Sequence, residues 1–529
     1  MKKIITYLAL IITVSFSTQA EDFFWQKDYA KVLPTGGLEW SPEPYVFQPE
    51  GEVRYIDYEN GSDANEGSKA APWKHHPWDA DATGKAKSGK ADTYVFKGGV
   101  TYRGALNVPA GASAKLLRDP SWGEGEARFY GSEVVTGWRK AAHPDMPDGG
   151  KVWAADVDFL PRNAWAVAKN GEITRLKLAR TPNWEMSDPD NVNSEWWEWD
   201  NPNWWERYTK GVQNDPMVMM VNGKKMHKGV SRKLATVADH VEGAIVWTEA
   251  GIPTMDIPMP MRIQKFDRGE NAIPLGTPWY DGYTPMVMYK TGHRFYLEDK
   301  AAFLDQAGEF WVEKTGRDSA TLYARLPNDQ APDSFTVEAG RSTQFIEAPN
   351  VGDLTVAGLA FRFGNMPWNY GLTHFMDPDS PPAVIRTLGS ATSLRIYNNT
   401  FEHVSLPLYA VAEDLGGFGF IQFNDNDVQH TDLGVAKIDD ESGTQVSRKP
   451  ELLDKLKNHK GIHSVETLRN NMYMTGFRTV RGRYQYGIEI GPSDLVHVAG
   501  NIGYRMGRQA IDVFGAKKSK DPRYAPFTR

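Results

Sequence analysis

Two acids near the end of the chain have a spacing that lends itself to chemistry. Glu489 and Asp512 each follow an isoleucine in a short apolar strand, Gly487-Ile488-Glu489-Ile490 and Ala510-Ile511-Asp512-Val513, and they lie 23 residues apart. Between them Leu495-Val496-His497-Val498 alternates as a strand does, and Gly500-Asn501 makes a corner. A repeat of this length suits one coil of a parallel β-solenoid, where equivalent positions stack at about 4.8 Å. With that register the two carboxyl groups are neighbours on one sheet face. A pair about 5 Å apart is what double displacement at an anomeric carbon requires, one group as nucleophile and the other as general acid.

Asp512 lies 11 residues past Asn501, and the same offset from Asn426 reaches Lys437. One face is therefore expected to carry Lys437, Glu489 and Asp512 as catalytic candidates. His430 is a further candidate, and Arg508 and Gln509, close by in sequence, are expected to bind substrate. A column of charges on a sheet face costs stability unless it is paired or used; a surface salt-bridge column is the alternative. The same residue types permit a second chemistry. Lys437, His430 and Arg508 would then neutralise a uronate carboxylate and remove the proton beside it, a β-elimination often assisted by calcium. A third possibility is a non-catalytic sugar-binding solenoid.

The elements that must position these groups are legible after Pro349. Strand-corner-strand units recur at Asp353–Phe361, Leu394–Phe401, Phe420–Val428 and Val465–Tyr473, and then around Asn501. Asn399, Asn426, Asn471 and Asn501 are expected to share one corner position and to stack as a hydrogen-bonded ladder. Residues 346–529 thus form the main parallel β-helix, with Ser447–His459 as a solvated helix in the largest insertion. Residues 21–128 give a Pro-rich arm and the first coils. From about Phe129 the alternating strands lose the coil period, so residues 129–345 are expected to be an inserted antiparallel β domain. Five tryptophans fall between 196 and 205, interleaved with acids; Trp196, Trp197 and Trp199 are expected to form an aromatic lip over a substrate cleft, with a core cluster as the alternative.

Residues 1–20 have a basic start, a short apolar run and a small-residue site ending at Ala20, the pattern of a cleaved signal peptide. This predicts a periplasmic or secreted protein without a membrane span. There is no cysteine and hence no disulfide framework. The formal net charge of −7 argues against nucleic acid as a partner; a polysaccharide or oligosaccharide is the expected one. No histidine spacing predicts a metal site, and no cofactor is expected. Asp63 and Asn65 have a spacing compatible with calcium, although an Asx turn looks the same. The chain ends at Arg529 soon after the Asp512 coil, so either Lys517–Arg529 caps the solenoid or further coils follow.

Three passages resemble right-handed parallel β-helix glycoside hydrolases of the xylosidase and fucosidase type, within the pectin-lyase-like superfamily. They are His293-Arg294-Phe295-Tyr296-Leu297-Glu298 through Leu304-Asp305, Gly308-Glu309-Phe310-Trp311 and Leu322-Tyr323 to Pro327; Asn170-Gly171 with Leu178-Ala179-Arg180-Thr181-Pro182-Asn183; and the opening coil at 53–104. The resemblance implies an all-β fold, a right-handed parallel β-helix interrupted by an antiparallel β-sandwich-like insertion. It also implies an acidic pair on successive coils as the catalytic machinery. The family has Asp before Glu; this chain has Glu489 before Asp512.

Overall fold

The computed structural model describes residues 31–34, 38–141, 143–147, 149–185, 194–200, 218–221, 224–252, 255–275, 292–367, 382–413, 416–440, 459–476, 487–506 and 509–514. Residues 1–20, Trp204, Trp205, the segment 447–458 and Arg508 lie outside that set.

The repeating unit is an apolar strand, one residue in the left-handed region, and a second strand. Gly358, Asn398, Asp425, Arg469 and Gly500 all take φ between 50° and 71° at this corner. Such a conformation is unfavourable for residues with a Cβ, so it needs compensation. An asparagine ladder supplies it. Leu359 N donates to Asn399 Oδ1, Asn399 N to Asn426 Oδ1, Asn426 N to Asn470 Oδ1 and Asn470 N to Asn501 Oδ1, each at 3.0 Å. The ladder therefore runs through Asn470 and not Asn471. In Leu468-Arg469-Asn470-Asn471 the left-handed residue is Arg469, so the amide that follows it takes the corner, while Asn471 opens the next strand and donates to Asp427 Oδ1 at 2.9 Å.

These corners wind the chain into a right-handed parallel β-helix of three sheets. The first runs Val53–Ile56, Thr93–Phe96, Ala114–Arg118, Val351–Ala357, Ala391–Tyr397, Gly417–Asn424, Gly461–Leu468 and Ser493–Ala499. Among the described residues the second holds seven strands from Thr101–Arg103 to Ile502–Tyr504, and the third seven from Leu106–Asn107 to Ile511–Val513. The interior is a continuous apolar column. Phe129, Phe361 and Phe401 stack coil on coil at 5.3 and 5.2 Å, and Ile438, Ile488 and Ile490 extend the core to the last coils.

The insertion leaves the helix after Ala127–Tyr130 and returns at Gln344–Glu347, both of them helix strands. Among the described residues it contains a largely antiparallel eight-stranded sheet, a five-stranded and a three-stranded one. Its core is shared with the outer face of the third helix sheet. Trp247, Phe295 and Leu304 of the insertion cluster with Tyr409 and Val411. A buried polar latch fixes the two parts: Asn163 Nδ2 donates to Asp432 Oδ2 at 2.9 Å, and Arg175 is hydrogen-bonded to both residues. Among the described residues no helix is long and apolar enough to cross a membrane.

Candidate functional site

The third sheet positions the candidate acids. In Ala436–Asp440 the residues Ala436 and Ile438 face the core, so period-2 alternation sends Lys437 and Asp439 outward. In Ile488–Ile490 the two isoleucines face in and Glu489 faces out. Lys437 pairs in register with Glu489, and Glu489 with Asp512. The column continues the other way through Tyr409, Arg386 and Glu347. Lys437, Glu489 and Asp512 are thus brought onto one face.

Their electrostatics are specific. Lys437 Nζ donates to Glu489 Oε1 at 3.0 Å and lies 3.1 Å from Asp439 Oδ2. All three side chains are buried, while Asp512 is half-buried. Exposure rises along the column from Tyr409 under the insertion to Asp512, so the site opens toward the last coil. Farther along, Arg386 is paired with Glu347 at 3.1 Å. Burial pushes the Glu347 carboxyl above its usual range despite that guanidinium. Gly491 stands next to Asp439; a Cβ there would come within 2.2 Å of Asp439 Oδ1, so the small residue makes room for that carboxylate. Asp439 was missed among the candidates, although its position two residues past Lys437 in an alternating strand is the signal that finds it.

The other candidates lie elsewhere. His430 occupies a second left-handed corner, stacked on His403 at 4.8 Å and perpendicular to the Tyr473 ring at 5.5 Å. It belongs to a column of corner rings, and burial lowers its pKa. Sequence proximity to Lys437 placed it with the carboxylates, but the corner turns it onto a different part of the coil. Gln509 is exposed in the loop before Ile511–Val513, where its carbonyl accepts from Gly487 N at 2.8 Å. Arg508 lies outside the described residues.

Trp196, Trp197 and Trp199 do not form a lip. Trp196 and Trp199 are buried in the insertion core; Trp199 stacks on Phe295 at 3.7 Å and donates from Nε1 to Thr248 Oγ1 at 2.8 Å, and Trp196 meets Tyr296 at 4.6 Å. Trp197, half-buried, packs on the same cluster. Their large apolar area is better covered than exposed, and the acids beside them, Glu195, Glu198 and Asp200, are exposed. Asp63 sits in a turn. It accepts from His75 N, Thr83 N and Thr83 Oγ1 at 2.9 to 3.0 Å, while the Asn65 amide donates to Pro72 O. Among the described residues no three His, Cys, Asp or Glu side chains converge as a metal site requires.

No family model matches the chain, and no curated protein does. Two solved structures are similar to it. One, described as a glycoside hydrolase, is 12% identical, with 87% of this chain and 96% of that one covered and a TM-score of 0.41. The other, titled "The complex structure of XylC with xylose", is 11% identical over 85% of this chain and 58% of that one, with a TM-score of 0.39.

Proposed function

We propose that the chain is an exported glycoside hydrolase that cleaves a polysaccharide or oligosaccharide with Glu489 and Asp512. One observation carries the reading: the two acids are register partners on adjacent strands of one sheet face, and a strand spacing of about 4.8 Å lets side chains projecting side by side hold their carboxyl groups near the roughly 5 Å separation of a retaining pair. Glu489 is the nucleophile. It is the more buried of the two, and the Lys437 ammonium supplies its counter-charge. Asp512, nearer solvent, is the acid and base. Glu489 attacks the anomeric carbon as the glycosidic C–O bond breaks and Asp512 protonates the departing oxygen. Water, deprotonated by Asp512, then displaces Glu489 with a second inversion. Lys437 and Asp439 act as positioning residues.

Elimination is less well supported by this arrangement. Lys437 already donates to one carboxylate and contacts another, and His430 stands in the corner column, so neither of these two is presented with the acids to a uronate; Arg508 lies outside the described residues. The test is a screen of neutral and uronate-containing glycans with product analysis. New reducing ends without ultraviolet absorbance support hydrolysis. Unsaturated products overturn it, as does turnover that survives substitution of both acids.

A further inference from the structure

The first sheet carries a second feature that the carboxylate column on the third sheet does not use. Residues 40–50 run as an arm along the first sheet, parallel to the solenoid axis. Trp40 Nε1 donates to Arg469 O at 2.7 Å, Glu43 N to Asp425 Oδ1 at 2.9 Å, and Tyr45 hydroxyl to Arg118 O at 2.7 Å; Thr93 Oγ1 donates to Glu50 O at 2.7 Å. The Tyr45 ring lies over Gly358, where φ is +71° and a Cβ would come within 2.7 Å of the ring. The arm is therefore fixed along the corner edge of the sheet. Between it and the strands lies a trough of about 850 Å3.

Its floor is a register column, Lys115, Thr355, Arg395, Gln422 and Glu466, one residue per coil. Such a floor repeats at about 4.8 Å, comparable to the length of one sugar unit in an extended chain. The floor is polar: Lys115 reaches the arm at Glu50 and Gln48 O, and Gln422 donates to Glu466 Oε1 at 3.1 Å, so a hydroxyl-rich ligand meets donors and acceptors along its length. The charges also select. Arg469 is bound to Asp425 at 2.6 Å and Lys115 to Glu50 at 2.6 Å, while Asp92, Asp353 and Glu466 add negative charge, which disfavours uronates and sulfates. Tyr397, facing outward beside Arg395, offers a ring for a sugar to pack on. Each floor strand is hydrogen-bonded to neighbours on both sides, so the sheet has no edge here for a peptide to extend.

We propose that this trough is a glycan-binding site, separate from the carboxylate column, that holds a neutral linear polysaccharide along the solenoid axis. The proposal does not rest on the hydrolase reading. The test uses calorimetry on the Glu489→Gln chain with cellohexaose, xylohexaose, mannohexaose and hexagalacturonate. At least one neutral hexasaccharide binds, and Gln422→Ala with Arg395→Ala weakens that binding, or one of two binding events, by tenfold or more. Tyr397→Ala does the same and Tyr397→Phe does not, which a structural role for the hydroxyl would reverse. In the chain with Glu489 intact, the trough substitutions leave cleavage of a short substrate unchanged. The idea is overturned if no neutral hexasaccharide binds, if the trough variants bind as the parent does, or if hexagalacturonate is the oligosaccharide the trough prefers.

Discussion

Lys437 Nζ lies 3.0 Å from Glu489 Oε1 across two adjacent coils, with both side chains buried and Asp439 completing the cluster at 3.1 Å. A buried pair of this kind adds little net stability over an apolar replacement, yet removing one partner leaves an uncompensated charge. Lys437→Ala therefore lowers the unfolding free energy by about 3 kcal/mol or more. Adding Glu489→Ala restores part of the loss, because the two residues are coupled. Urea unfolding of both single variants and the double variant measures this; additive losses would show that the contact carries no coupling.

The acid pair makes a sharper demand on activity. Glu489→Gln and Asp512→Asn keep the shape of each side chain and remove its charge or its proton exchange. Each is expected to lower kcat on the natural glycan by roughly a thousandfold or more, corresponding to about 4 kcal/mol of barrier. With the parent chain, proton NMR of the first product should show the anomeric configuration of the substrate, as double displacement requires. Inverted product would exclude Glu489 as a covalent nucleophile.

How much of this could be seen in the sequence depends on which interaction decides each feature. The coil grammar, the insertion and the pairing of Glu489 with Asp512 all follow from local alternation, which a sequence displays directly. The asparagine corner was displaced by one because Asn470-Asn471 offers two amides, and the backbone conformation of Arg469 chooses between them. Trp196 and Trp199 were misplaced for a different reason. Whether a tryptophan lines a cleft or fills a core is set by partners distant in sequence, here Phe295 and Tyr296. Asp439 needed only the alternation already applied to Lys437.

The insertion holds a titratable group with a strong pH signature. Glu309, at 1% exposure, has its carboxyl pushed up to about 8 by burial, with Arg180 only partly offsetting that. The unfolded chain ionises near the ordinary value of 4.5 while the folded chain keeps its proton to about 8. Unfolding in that window releases a proton, so the contribution of Glu309 is greatest below pH 4.5 and falls as pH rises toward 8. Glu309→Gln removes this slope. Melting curves taken across the window should show the variant gaining on the parent as pH increases; parallel profiles would mean that the carboxyl ionises normally in the fold.

The asparagine ladder gives the last contrast. Asn426 is fully buried; its Oδ1 accepts from Asn399 N at 3.0 Å, and its Nδ2 donates to Ile396 O and Asn470 Oδ1, both at 3.1 Å. Asn426→Ala leaves a buried backbone donor and a carbonyl without partners, so a loss of about 2–4 kcal/mol is expected, and it breaks the ladder between coils. Asn471, one strand position farther on and half-buried, gives up one hydrogen bond to Asp427 when changed to Ala, at about 1 kcal/mol or less. Hydrogen exchange adds a spatial readout. In Asn426→Ala the amides of Leu359 and Asn399 lose protection together, because the support for one corner is the amide of the next, whereas Asn471→Ala leaves both protected. Equal effects from the two substitutions would mean that the corners are held by chain geometry alone and that the amides merely occupy them.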